Sequence, residues 1–148
     1  MADGVDIEHN HQTATLTVVL AALNILFFLF HTSLILFNVF GWAHPKTRKW
    51  NLLTLLLTLA SWVGMGMVYG MGYCFCTDWH WQVREAMGIE ETASSYIVLL
   101  VRNLSGWSPP IGLANAVAKW VFFAALAISV GLNVRDWVRV RRGDETGT

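Results

Sequence analysis

Three long apolar runs organise this chain. The first extends from Leu16 to Phe40, about 25 residues, and is interrupted only by Thr, Ser, Asn and one His. The second extends from Leu52 to Tyr73, about 22 residues, and is rich in Leu, Met and Gly. The third extends from Ile111 to Val134 and carries one Lys. A helix of about 20 apolar residues crosses the hydrocarbon of a bilayer, so each run is long enough to span. The pattern predicts an all-α, polytopic integral membrane protein with three transmembrane helices, built as a single membrane domain over residues 1–148.

Between the second and third runs the pattern is mixed and predicts two short interfacial helices within about 77–106. Thr77 or Asp78 can cap the first, which runs to about Met87 with Gly88 as its stop. Trp79, Val83 and Met87 share one face of it, and His80 and Arg84 another. Thr92 or Ser94 can cap the second, which runs to about Leu104 with Gly106 as its stop. Ile97, Leu100, Val101 and Leu104 line one side. At roughly 12 residues it is too short to span, so it lies in the interface or re-enters from it. Ser108-Pro109-Pro110 then opens the third span, where a missing N–H costs nothing.

Composition agrees with a membrane class. Hydrophobic residues make up 55% of the 148, and the mean hydropathy is +0.47. Ten Lys and Arg balance ten Asp and Glu, so position matters more than sum. The tail before Leu16 holds Asp3, Asp6 and Glu8 and no Lys or Arg. The first connection holds Lys46, Arg48 and Lys49. The long connection holds Arg84 and Arg102 against Asp78, Glu85, Glu90 and Glu91. The last segment holds Arg135, Arg139, Arg141 and Arg142. Basic residues alternate between poor and rich segments in step with three crossings. The positive-inside rule then puts the N-terminus outside and the C-terminus in the cytoplasm, in an inner (cytoplasmic) membrane. Trp42, Trp50 and Trp137 fall at the inner interface, and Tyr73, Trp79, Trp81 and Trp107 at the outer one. Trp62 falls inside the second span as a packing residue. The first run lacks a basic flank and is too long for a signal peptide, so it reads as a retained helix. The Arg-rich end fixes topology and touches anionic lipid.

Polar residues inside the spans form stripes. Thr17, Asn24, His31 and Asn38 recur at seven-residue steps and so share one helix face. That face must meet other helices, because lipid cannot satisfy it. Asn51, Thr54, Thr58 and Ser61 form a matching face on the second span. Gly66 and Gly70, with Gly64 and Gly72 nearby, allow close helix approach. Asn115, Ser129 and Asn133 add to the third span, where Lys119 can snorkel. These stripes predict interhelical packing through Asn24, Asn38, Thr58, Ser61, Gly66 and Gly70. The sharper possibility makes His31 a proton carrier, a quinone hydrogen-bond partner or an axial haem ligand. A haem held by two histidines needs a second one at similar depth. In a simple three-span picture His80 lies at the outer surface and His44 at the inner, and neither lies opposite His31.

The segment Tyr73-Cys-Phe-Cys-Thr-Asp-Trp-His-Trp-Gln-Val-Arg84 gathers thiols, a carboxylate, an imidazole, a guanidinium and indoles. His31, Cys74, Thr77, Asp78, His80 and Arg84 are the candidate functional residues. A disulfide between Cys74 and Cys76 would be strained, and the spacing is not that of a Cys-x-x-Cys redox pair. Cys74, Cys76 and His80, with Asp78 or the tail residues His9 and His11, are weak metal candidates whose spacing matches no standard site. The simpler reading is an interfacial turn, capped by Thr77 or Asp78, anchored by indoles, with Arg84 facing a carboxylate or lipid phosphate. No nucleophile triad, phosphate loop, HExxH pattern or nucleic-acid motif is present.

From about His31 to the third span the chain resembles the small bacterial membrane proteins grouped as domain of unknown function 2784. His31 and Gly41 match the family's first-helix His and the Gly near that helix's end. Cys74, Thr77 and Arg84 match its Cys-Pro-Leu-Thr-x-x-Glu…Leu-Arg signature, Gly88 the following Gly, and Tyr96-Ile97 an aromatic-Ile pair. Phe75, Cys76 and His80 stand where the family commonly has Pro, Leu and Glu, so a family carboxylate facing Arg84 has no counterpart at His80. The resemblance implies the architecture and no activity. The functional expectation is a non-catalytic helper or subunit that packs with a membrane-protein partner or with itself in the lipid bilayer, without nucleic acid and with no cofactor specified. The alternatives are a redox, haem, quinone or metal-binding protein using His31 and the Cys74–Arg84 segment, and a small proton or solute path along the first helix.

Overall fold

The computed structural model describes residues 3–69, 74–90 and 95–145, and all regular structure among them is helical. The order is α1 (Asp3–Phe40), α2 (Arg48–Gly64), α3 (Gly66–Tyr69), α4 (Phe75–Ala86), α5 (Tyr96–Ser105) and α6 (Ile111–Glu145). Over His11–Phe40 and Ile111–Gly143, α1 and α6 are long and apolar enough to cross a membrane. Most side chains on both face outward, including Leu26, Leu29 and Phe30 on α1 and Leu113, Val117 and Trp120 on α6.

The expected second span is shorter here than its apolar run. α2 has 17 residues, breaks at Met65, and is followed by the four-residue α3. Residues 70–73, which would complete that span, lie outside the described residues. The helix around Leu16 also starts earlier than the apolar pattern does, at Asp3, because the polar tail contains no Pro or Gly pair to stop it.

A seven-residue connection joins α1 to α2, which therefore run antiparallel. The Trp62 ring lies 4.7 Å from that of Phe122 at a tilt of 37°, while Arg48 reaches Asp136 at 2.7 Å. These two contacts, at opposite ends of α2, place α6 antiparallel to it. Leu55, Phe122 and Ala125 form the core between α2 and α6, with Trp42, Leu59, Trp62 and Leu126 packed around them. A second core joins Tyr96, Val98, Leu99 and Ala114 with Phe28, Ile35 and Trp81.

The carbonyls left open at the end of α1 are closed by the connection and by α2. Asn51 donates Nδ2 to the carbonyls of Phe37 (2.7 Å) and Asn38 (3.2 Å). The Trp42 indole donates to Val39, and the Ala43 amide to Phe40. Thr47 donates its hydroxyl to the Gly41 carbonyl and Arg48 its Nε to that of Trp42. Gly41 is required by this closure: a Cβ there would stand 2.9 Å from Asn51 Nδ2 and 3.0 Å from the Phe37 ring.

The short helices differ from expectation at their starts and agree at their ends. Cys74 occupies the cap of α4 in extended backbone, so Thr77 and Asp78 sit inside the first turn and cap nothing. Asp78 instead accepts from Gln82 at 2.9 Å. At the other end, Gly88 amide bonds the Glu85 carbonyl and Ile89 amide that of Arg84, with Gly88 at φ +72. Ser95 stands at the start of α5, and the expected caps Thr92 and Ser94 lie outside the described residues. Gly106 ends α5 at φ +73, as expected. The expected α5 face holds in part: Ile97 and Leu100 pack against the core that Tyr96, Val98 and Leu99 fill, whereas Leu104 is exposed, because the Tyr96 hydroxyl anchors the start of the helix on α1.

Candidate functional site

The α1 stripe meets a different partner at each step. Asn24 meets α4, His31 meets α5, and Asn38 meets α2. Thr17 departs from this: it is exposed, and its hydroxyl bonds the Thr13 carbonyl of its own helix.

Asn24 Oδ1 faces both His80 Nε2, at 2.8 Å, and Arg84 Nη1, at 3.4 Å. A guanidinium only donates, so the amide oxygen must be the atom turned toward α4. The same oxygen then requires His80 to carry a hydrogen on Nε2. The four-residue spacing of His80 and Arg84 puts both on one acceptor, as the shared face predicted. His80 is 1% exposed. It is thus buried between α4 and α1. α4 does not lie flat over the bundle end but packs along α1, with Phe27 stacked on His80 at 5.9 Å.

Tyr96 joins the two histidines. Its ring lies 3.9 Å from His31 at an interplanar angle of 11°, and 6.1 Å from His80. Its hydroxyl donates to the Phe28 carbonyl at 2.8 Å, so the Thr32 hydroxyl, at 2.9 Å, is left to donate to Tyr96. His31 and His80 thus flank one tyrosine, with His80 level with Asn24, two turns of α1 away from His31. Tyr96 was not among the expected site residues. Its signals were the Tyr96-Ile97 match to the family pattern and a phenol at the start of an apolar turn, since a buried hydroxyl needs a partner.

Toward the basic end, Asn38 Nδ2 donates to Thr58 Oγ1 at 3.1 Å, and Thr58 bonds back to the Thr54 carbonyl. Asn133 Nδ2 reaches the Arg48 carbonyl at 3.2 Å. The seam closes on the Arg48–Asp136 pair, which Arg135 flanks. Asn115 and Lys119 stay outside the seam and are exposed on α6. Gly64 has open space where a Cβ would stand, Gly66 opens α3, and Gly70 lies outside the described residues.

Several buried polar atoms in the seam meet no hydrogen-bond partner among the described residues: His31 Nδ1, Asn38 Oδ1, Asn51 Oδ1, Ser61 Oγ and Ser129 Oγ. His31 and Asn38 are 7% exposed, and Asn51 and Ser129 fully buried. A buried unsatisfied group costs about 1–3 kcal/mol. Together these atoms would offset a stability of the order of a whole small domain.

Cys74 is half-buried, Cys76 is buried, and both are free thiols. Burial, with Cys74 beside it, pushes the Cys76 thiol up to about 11. Among the described residues no three His, Cys, Asp or Glu side chains converge as a metal ion would need.

Fold and site together define a small all-helical protein with two helices of membrane-crossing length and a buried polar seam. The family described as "Protein of Unknown function (DUF2784)" matches residues 16–134, and the chain belongs to it. No curated protein and no solved structure matches the chain.

Proposed function

We propose that this is a three-span inner-membrane protein, N-terminus outside and C-terminus cytoplasmic, that serves as a non-catalytic packing subunit for a membrane-protein partner. One observation carries the reading: its polar side chains are spent on holding helices together. Asn24 ties α4 to α1, Tyr96 ties α5 to α1, Asn38 and Asn51 tie α1 to α2, and Asn133 ties α6 to α2. What such a scaffold offers outward is apolar surface. Met67 and Val68 are 81% and 73% exposed beside the open Gly64. A face of small and flexible residues suits close approach by another helix. The alternation of basic segments supports the orientation, and the apolar run Leu52–Tyr73 supports the third span. Purification from membranes in mild detergent tests the reading. A reproducible co-purifying membrane protein is expected, and recovery of the chain alone in repeated preparations counts against it.

The convergence of two histidines on Tyr96 favours a second reading, a ligand or redox centre at that cluster. An optical spectrum and metal analysis of the purified protein decide its cofactor form. A chromophore or stoichiometric metal lost in His31→Ala and His80→Ala would establish it, and neither being present would sink it.

A further inference from the structure

We propose that an open groove at the α1–α2 corner binds an anionic phospholipid, with an acyl chain along α1 and the phosphate on Lys46 and Lys49. The site rests on the membrane reading proposed above, since a lipid occupant needs the bilayer. The groove holds about 520 Å³ and is lined by Ser33, Leu36, Phe37 and Phe40 of α1 and by Gly41 and Thr47 of the connection. The four α1 residues recur at three- and four-residue steps, so they form one stripe, about 10.5 Å long from Ser33 to Phe40. Thr47 donates its hydroxyl to the Gly41 carbonyl at 2.6 Å, which holds the connection against the end of that stripe. A bare helix face meets a lipid chain on one side only, whereas here the connection adds a second wall. Leu36 and Phe40 are exposed, so the stripe is open to a chain arriving from the bilayer.

Charge and depth decide what covers the groove. Lys46 precedes Thr47, and Lys49 stands in the first turn of α2. Both are exposed, and neither meets a carboxylate among the described residues. Arg48 between them is neutralised by Asp136 at 2.7 Å. The mouth of an apolar groove thus keeps two ammonium groups without a counter-charge. A phosphate only accepts hydrogen bonds and an ammonium only donates them, and lysine stems are flexible enough to follow a headgroup. A partner helix would have to carry an acid into the interface, while an anionic phospholipid brings phosphate and chain in one molecule. The depth agrees. From Ile111 to Asp136, α6 rises about 38 Å, more than the roughly 30 Å of hydrocarbon. Asp136, and the connection bonded to it through Arg48, therefore reach the headgroup layer. Trp50 and Trp137 are exposed at the same level, where indoles favour the interface.

Native mass spectrometry of the full chain, purified in mild detergent, tests this with dioleoyl phosphatidylglycerol and dioleoyl phosphatidylcholine added in equal amounts. The two lipids share their acyl chains and differ in net charge. Phosphatidylglycerol is expected to bind about tenfold or more over phosphatidylcholine. Lys46→Gln with Lys49→Gln is expected to abolish that preference, and Arg139→Gln with Arg142→Gln to leave it. Ser33→Phe, at an exposed position, is expected to fill the groove and weaken both lipids several-fold. Equal binding of the two lipids by the unmodified protein would overturn the proposal with no variant needed. So would a preference that survives the lysine pair, and its fall with the arginine pair would move the lipid to the end of α6. Ser33→Phe without effect would overturn the seat of the chain. Recovery of the protein in the membrane fraction of the same preparation tests the membrane reading separately from the lipid preference.

Discussion

Asn24 acts as a single acceptor for two donors of α4, and the cost of losing it can be anticipated. Asn24→Ala leaves the His80 N–H buried and removes an acceptor from Arg84, a loss of about 1–3 kcal/mol. Asn24→Asp keeps an acceptor for both and should recover most of it. Unfolding in mixed micelles, followed by circular dichroism, measures the pair. Tyr96→Phe retains the stack on His31 and loses the hydroxyl bonds, about 1 kcal/mol. Tyr96→Ala also removes the ring and should cost about 3–5 kcal/mol. Cys76 has a separate test. With its thiol held up to about 11 and buried, the thiolate is scarce near neutrality. Alkylation followed by mass spectrometry should find Cys76 unreacted at neutral pH and modified only as pH rises toward that value. At this scale the sequence displayed the histidines and the stripe, because a polar group in an apolar run is conspicuous. It did not display Tyr96, whose neighbours on α1 lie more than 60 residues away.

Helix ends were easier to read than helix starts. Gly88 and Gly106 both adopt positive φ, where a side chain is strained, so their positions in the chain were sufficient. Gly88→Ala should cost about 1–2 kcal/mol by placing a Cβ in the left-handed region. The start of α4 was misread because Thr77 and Asp78 are good caps in general, whereas here the chain turns into the helix at Cys74. The face of α5 was legible only in part, at Ile97 and Leu100, because aliphatic spacing alone does not reveal which residue is tied down. Gly41→Val tests a different constraint, the approach of Asn51 to the end of α1. The added side chain must displace Asn51 or the Phe37 ring and should cost about 1–3 kcal/mol, read from the same unfolding experiment.

For the whole molecule, apolar length foretold α1 and α6 and left the middle helix underdetermined, since α2 breaks at Met65 before its run is finished. The proposed orientation has a direct measurement. With the single pair of thiols on the segment between α3 and α5, a membrane-impermeant maleimide applied to intact spheroplasts should label Cys74, and labelling only after lysis would reverse the assignment. The burial of the site was illegible for one reason. Sequence places His80 beyond the second apolar run, yet α4 folds back along α1 and buries it. The closed end of α1 bears on how the protein is made. The carbonyl of Asn38 finds its donor on α2, in the side chain of Asn51. A nascent α1 that entered lipid by itself would carry that end unfinished. If the proposed second span is correct, the first two helices have reason to enter the bilayer as a hairpin, with Asn51 closing the end of α1 from the start.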